Sequence, residues 1–173
     1  MAEAYFYHLT RQPLEAALPM LLERARARGW RVLVRGTSEE RMRWLDEKLW
    51  LGGEESFLPH GLAGGPRDAE QPVLLTTAPE GAANAAEVLM AVDGATVAPG
   101  EAGDFDRVCL VFDGNDPAAV EAAREQWRRL TAAVACRSRA RNPSSPSRAK
   151  RSATLAPASA SITASRSTNG RPN

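Results

Sequence analysis

Five short runs rich in β-branched and aromatic residues, separated by stretches of helical periodicity, constrain this chain more than any other feature. The runs are Ala4 to Leu9 (A-Y-F-Y-H-L), Arg31 to Arg35 (R-V-L-V-R), Pro72 to Thr77 (P-V-L-L-T-T), Glu87 to Val92 (E-V-L-M-A-V) and Arg107 to Phe112 (R-V-C-L-V-F). Each is short enough to be a buried strand. Between the first two, Pro13 to Arg28 sets Leu14, Ala17, Leu18, Leu21, Leu22 and Ala25 at helical spacing, and Gly29 ends it. A second helix opens at Thr37 or Ser38, carries Glu39 and Glu40 in its first turn, and repeats Met42, Leu45 and Leu49 on one face. A third runs from about Pro117 to Ala133, with Asp116 as cap and Val120, Ala123, Trp127 and Leu130 recurring every three to four residues. Strands alternating with helices predict an α/β domain with a central, mostly parallel sheet covered on both faces.

That pattern stops at Val134, and so does the charge balance. Up to Val134 there are 14 Lys plus Arg against all 21 acids, a net −7; from Ala135 onward there are 8 basic residues and no acid, a net +8. The second part has no aromatic residue and little to offset the entropy of ordering a chain. The division predicts one domain over residues 1–134 and a disordered Arg/Ser/Ala-rich tail over 135–173. No apolar run approaches the roughly 18 residues of a membrane-spanning helix, and M-A-E-A-Y-F-Y-H lacks the basic start and apolar core of a secretion signal. The expectation is a cytoplasmic protein without a membrane partner.

The chemistry-bearing motifs are sparse. G-L-A-G-G-P-R-D does not match the phosphate-binding G-x-x-x-x-G-K-[ST], and V-R-G-T-S-E-E has one glycine where a pyrophosphate site needs several, so no nucleotide or other cofactor is expected. His8 and His60 are the only histidines, and neither stands beside a nucleophile motif. Cys109 and Cys136 form neither a disulfide framework nor a zinc pattern. No catalytic or metal-binding residue is therefore assigned. His60 reads either as a loop histidine bonded to backbone or as a lone catalytic group.

Two apolar groupings remain. Trp50 closes the second helix just before Phe57, Pro59 and Leu62 in E-S-F-L-P-H-G-L-A-G-G-P, so this loop either presents a contact surface or tucks these side chains into the core. On the third helix Val120, Arg124, Trp127 and Arg128 share a face, which either grips an acidic peptide or is an ordinary amphipathic helix with Trp127 inside and its arginines in water.

Five segments together carry a resemblance: A-Y-F-Y-H-L, R-G-W-R-V-L-V-R, R-M-R-W-L-D-E-K-L-W, E-S-F-L-P-H-G-L-A-G-G-P and A-R-E-Q-W-R-R-L. In this order, over about residues 1 to 134, they resemble the chi subunit of bacterial DNA polymerase III. The resemblance implies a three-layer, Rossmann-like fold that binds no nucleotide. It also implies a non-catalytic accessory subunit linking the clamp loader to single-stranded DNA-binding protein. One surface would take the psi subunit or its equivalent, with Trp50 and Phe57 on it, Leu62 nearby, and Pro59 and His60 shaping the loop. Another would take the acidic, Phe-ended tail of single-stranded DNA-binding protein, with Phe112, Val120, Arg124, Trp127 and Arg128. DNA contact would be indirect or weak.

The sequence departs from the family in two places. Trp127 stands where the family often has tyrosine, which keeps an aromatic wall and loses a hydroxyl. After the third helix, chi subunits continue with a short aromatic segment that adds to the sheet or closes the core. Here the arginine, serine and alanine text begins instead. Either a basic tail has replaced the last element or the reading frame has slipped near Val134, and the second case leaves one sheet edge uncovered. An authentic tail would make the alternative function a weak nucleic-acid-binding module.

Overall fold

A computed structural model describes residues 3–52, 57–79, 81–141 and 162–167. The chain runs β1 (Glu3–Leu9), α1 (Leu14–Arg26), β2 (Val32–Arg35), α2 (Glu39–Trp50), β3 (Gly61–Leu62), β4 (Val73–Thr76), β5 (Val88–Ala91), β6 (Arg107–Asp113), α3 (Pro117–Arg141) and β7 (Ile162–Ser167). The sheet order is β3-β4-β2-β5-β6-β1-β7. Strands β1 to β6 are mutually parallel, and β7 lies antiparallel along β1. The five expected strands and three expected helices are all present. The two-residue β3 was not foreseen.

Local chemistry explains the boundaries. Ser38 caps α2 by accepting a hydrogen bond from the Arg41 N–H at 3.5 Å, and Asp116 caps α3 by accepting one from the Ala118 N–H at 2.9 Å. Gly29 closes α1 at φ 79°, a conformation that glycine adopts without strain. Helix α3 passes the expected end at Ala133 and continues to Arg141, because A-V-A-C-R-S-R-A-R holds no glycine or proline and the next breaker is Pro143. Of residues 135–173, only this helix end and β7 are described. Residues 142–161 and 168–173 lie outside the described residues. The β1 edge that a slipped frame would leave uncovered is paired with β7, from Leu9 opposite Ile162 to Ala4 opposite Ser167.

Alternation along the strands divides the core in two. Val32, Val34, Val73, Leu75, Val88, Met90, Cys109 and Val111 face α1 and α2. Burial pushes the Cys109 thiol up to about 12, although Arg107 pulls the other way, so it behaves as a small apolar group. Leu33, Leu74, Leu89, Ala91, Val108 and Leu110 face Leu130 of α3 and two long crossovers. The crossovers join β4 to β5 and β5 to β6. Their described residues carry no α-helix, only the 3₁₀ turn Glu101–Asp104, and they contribute Ala82, Ala86, Ala95, Val97, Ala102 and Phe105 to the core.

Two buried polar contacts hold these crossovers down. Arg35, at the carboxyl end of β2, is 2% exposed and meets both Glu101 oxygens, at 2.8 and 2.6 Å. The same carboxylate accepts the Gly81 N–H at 3.0 Å. Asn84, completely buried, donates to the carbonyls of Val32 and Gln71, both at 3.1 Å. Burial raises the Glu101 pKa, but the Arg35 hydrogen bonds and charge outweigh it and leave the carboxyl below its ordinary 4.5.

Glu101→Gln strands a buried guanidinium and is expected to lower unfolding stability by about 3–5 kcal/mol in a urea titration, with Arg35→Met plus Glu101→Leu recovering most of the loss. Since the folded carboxyl binds its proton less tightly than the unfolded one, its contribution is complete above pH 4.5 and is lost as pH falls below that value. Melting curves between about pH 5 and 3 should therefore drop less steeply for Glu101→Gln than for the wild type.

Candidate functional site

The end of α2 presents the exposed apolar surface. Trp50, Leu51 and Phe57 are 59%, 75% and 79% exposed, the large hydrophobic side chains most open to water among the described residues. Trp50 and Leu51 fall past the buried stripe Met42, Leu45 and Leu49, so the helix ends by turning them outward. Leu58 is buried, while Pro59 and Leu62 are half-buried. The loop neither tucks in nor opens as a whole. It anchors on Leu58 and His60 and exposes Phe57.

His60 is the anchor. Its Nδ1 lies 2.7 Å from the Leu58 carbonyl, its Nε2 lies 3.2 Å from the Asp46 carbonyl and 3.3 Å from that residue's carboxylate, and the side chain is 0% exposed. The ring also meets Trp50, with centres 4.7 Å apart. Burial raises the Asp46 pKa, His60 lowers it and Glu47 raises it, for a net rise. Of the two readings of His60, this is the backbone-bonded loop histidine. It ties the loop to α2 beneath Trp50.

The glycine-rich turn after β3 is internally satisfied. The Gly64 and Gly65 N–H groups donate to the Asp68 carboxylate at 2.8 and 2.9 Å, and Gly64 takes φ 109°. The amides a phosphate would seek already hold a carboxylate. At the carboxyl ends of the strands a groove of about 1150 Å³ runs between α3 and the Gly94–Pro99 loop, walled by Ala118, Ala119 and Ala122. Of its three arginines, Arg41 and Arg129 are paired with Asp93 at 2.8 Å and Glu125 at 2.6 Å, and Arg11 is exposed. Among the described residues, no group of three or more His, Cys, Asp or Glu could hold a metal ion, and no helix is long and apolar enough to cross a membrane.

The opposite flank of α3 carries the second surface. Trp127 is half-buried, its ring edge-to-face with Phe6 of β1 at 4.6 Å, and Phe6 in turn meets Phe112 at 6.4 Å. His8 lies against Phe112 at 5.4 Å. The structure thus joins Phe112 to Trp127 through Phe6. Val120 is half-buried, and Arg124 and Arg128 are exposed. Arg124 reaches Glu121 at 3.4 Å, an exposed pair of the kind that contributes little and exchanges readily. Chemically, this flank offers ring edges for an apolar group beside guanidinium groups for carboxylates.

Residue-by-residue reasoning missed Leu51, Phe6 and His8. Leu51 was hidden because it follows the periodic face of α2. Phe6 and His8 were legible as the even positions of β1, which alternate with Tyr5 and Tyr7, but which face α3 would cover was not.

A family model described as DNA polymerase III chi subunit, HolC, matches residues 1–135. No curated protein matches the chain.

The exposure pattern has a direct consequence for stability. Phe57→Ser is expected to leave unfolding free energy within about 0.5 kcal/mol of the wild type. His60→Ala, which unties the loop from α2, is expected to cost about 1–3 kcal/mol in the same denaturant titration.

Proposed function

The chain belongs to the DNA polymerase III chi-subunit family, and from that premise we propose that it tethers the clamp loader to single-stranded DNA-binding protein by capturing that protein's acidic, Phe-ended tail on α3. Family membership makes it an accessory subunit of replication; the finer reading is that it is cytoplasmic, catalyses nothing by itself and acts by holding partners together. The observation that carries it is the flank of α3, where Arg124 and Arg128 stand in water beside the Phe6, Phe112 and Trp127 rings. A terminal phenylalanine and its carboxylate need those two chemistries side by side. Val120 supplies a half-buried aliphatic side chain on the same helix face.

The clamp-loader side falls to the Trp50, Leu51 and Phe57 surface, whose aromatic side chains are the kind that anchor protein interfaces. His60 and Pro59 act from beneath by fixing the loop, and Leu62 flanks it. The fit of this surface to a psi-type partner rests on exposed aromatic area held on an anchored loop, which reduces the ordering cost of association. Because many copies of single-stranded DNA-binding protein coat one strand, a weak contact raises the effective local concentration of the polymerase assembly without any chemistry.

Titration of the full chain with a fluorescent peptide bearing the acidic, Phe-ended tail should show saturable binding. Arg124→Ala, or removal of the last phenylalanine from the peptide, should each weaken it at least about tenfold, roughly 1.4 kcal/mol. A folded wild-type chain that does not bind the peptide would sink the proposal.

A further inference from the structure

His60 sits under the exposed Trp50 surface with both of its ring nitrogens turned toward oxygen. Nδ1 lies 2.7 Å from the Leu58 carbonyl, and Nε2 lies 3.2 Å from the Asp46 carbonyl and 3.3 Å from the Asp46 carboxylate. A carbonyl only accepts, and a neutral imidazole carries one N–H and one bare lone pair. Once the short Nδ1 contact has taken the N–H, a neutral ring leaves the Nε2 lone pair against two oxygens. The side chain is 0% exposed, so bulk water does not relieve that repulsion.

One more proton removes the conflict, in either of two places. On Nε2 it makes the ring a donor toward Asp46; on the Asp46 carboxyl it makes that group the donor to the bare nitrogen. The Trp50 indole favours the first placement, because the two ring centres lie 4.7 Å apart and an aromatic ring attracts a cation at that distance. Burial favours the second: it raises the Asp46 pKa above the ordinary 3.8, His60 opposes the rise and the exposed Glu47 adds to it. Helix α2 thus supplies Asp46 and Glu47 to this site, while its Lys48 lies over Trp44. The described loop residues 57–62 and strand β4 add no titratable side chain besides His60. His60 and Asp46 therefore titrate as one unit.

We propose that the loop bearing Phe57 is pinned by one proton shared between His60 and Asp46, so that presentation of the Trp50 and Phe57 surface is proton-linked. That this surface holds a partner is the reading given above, on which the functional consequence rests; the shared proton rests on the geometry around the ring. When the proton leaves, Nε2 and the Asp46 oxygens repel, and the tie from Leu58 through His60 to α2 loosens. Both are positioning residues, acting through Trp50 and Phe57. The unfolded chain gives up the corresponding proton with a free histidine, near about pH 6.5. A folded pair that keeps it longer adds stability below that pH, and the gain is lost as pH rises through the titration of the pair.

The test compares the full-length wild type with Asp46→Asn, whose amide can donate to a bare Nε2 and so needs no extra proton. In urea titrations at about pH 6 and about pH 8.5, the unfolding equilibrium constant should rise at least about fivefold more in the wild type than in the variant. Amide hydrogen exchange should place the change in the loop: at the higher pH, residues 57–62 open at least about fivefold more often in the wild type than in Asp46→Asn, and at the lower pH the two agree within about twofold. Nitrogen NMR of the histidine rings, with His60→Gln identifying the signals of His60, should show hydrogen on Nδ1 and a proton lost from the pair at a higher pH in the folded wild type than in the urea-unfolded chain. Parallel pH dependence in the two proteins, a bare Nδ1 with hydrogen on Nε2, or a proton lost at the same pH folded and unfolded would each overturn the proposal. The spectrum needs no folded Asp46→Asn, so it decides the matter even where that variant is unstable. No partner enters these measurements, so their failure and a failure of the docking reading are told apart.

Discussion

The buried ion pair of Arg35 with Glu101 is the contact on which the middle of the sheet depends. Two crossovers that would ordinarily be helices are mostly irregular here, and irregular backbone covers a core poorly unless its polar groups are satisfied. A guanidinium at the end of the central strand β2 meets both oxygens of one carboxylate, which also takes a backbone amide from the other crossover. One cluster thus ties β2 to both connections at once. At the opposite end of β2, Asn84 ties the β4–β5 connection alone, donating to the carbonyls of Val32 and Gln71. With these loops pinned, small residues such as Ala82, Ala86 and Ala95 suffice to cover Leu33, Leu74 and Leu89.

Among the described residues, this arrangement leaves α3 as the one α-helix on its face of the sheet. Lying over β6 and β1, it has two free flanks. One borders the groove beside the Gly94–Pro99 loop, where its alanines leave space. The other rests Trp127 on Phe6 and keeps Arg124 and Arg128 in water. On the far face, α1 and α2 pack together over the sheet, and among the described residues the large apolar side chains turned outward are Trp50 and Leu51 at the end of α2 and Phe57 in the following loop. The candidate surfaces are therefore separated by the sheet itself, which is the geometry the proposed tether needs, because two partners would then not compete for one face.

Much of the fold was legible because its signals are local. A parallel sheet buried on both faces needs continuous apolar strands, and V-L-V, V-L-L, V-L-M-A and V-C-L-V supply them. The caps Ser38 and Asp116 and the stop at Gly29 are equally local. The two-residue β3 was not legible, since Gly61 and Leu62 carry no alternation and pair with Leu74 and Leu75 through the main chain. Nor was β7: I-T-A-S-R-S has no apolar period, and its place along β1 depends on an available edge. The end of α3 was misjudged because a change in composition is not a helix breaker. In the candidate sites, Trp50 and Phe57 were legible as costly aromatics on a loop, but the inward turn of His60 was not, because its partners Asp46 and Leu58 meet it only once α2 and the loop are packed.

The residues by themselves determined the α/β class, the order of strands and helices, the α3 face that brings Arg124 and Trp127 together, and the membership of a family whose motifs lie in local segments. Those properties follow from spacing and side-chain type along a few neighbouring positions. Only the tertiary structure decided that Phe6 joins Phe112 to Trp127 and that Arg35 and Glu101 neutralise each other across 66 positions. Each of these depends on which strand lies beside which and on which face a helix covers, and long-range packing settles that through burial, not through any pattern within a single segment.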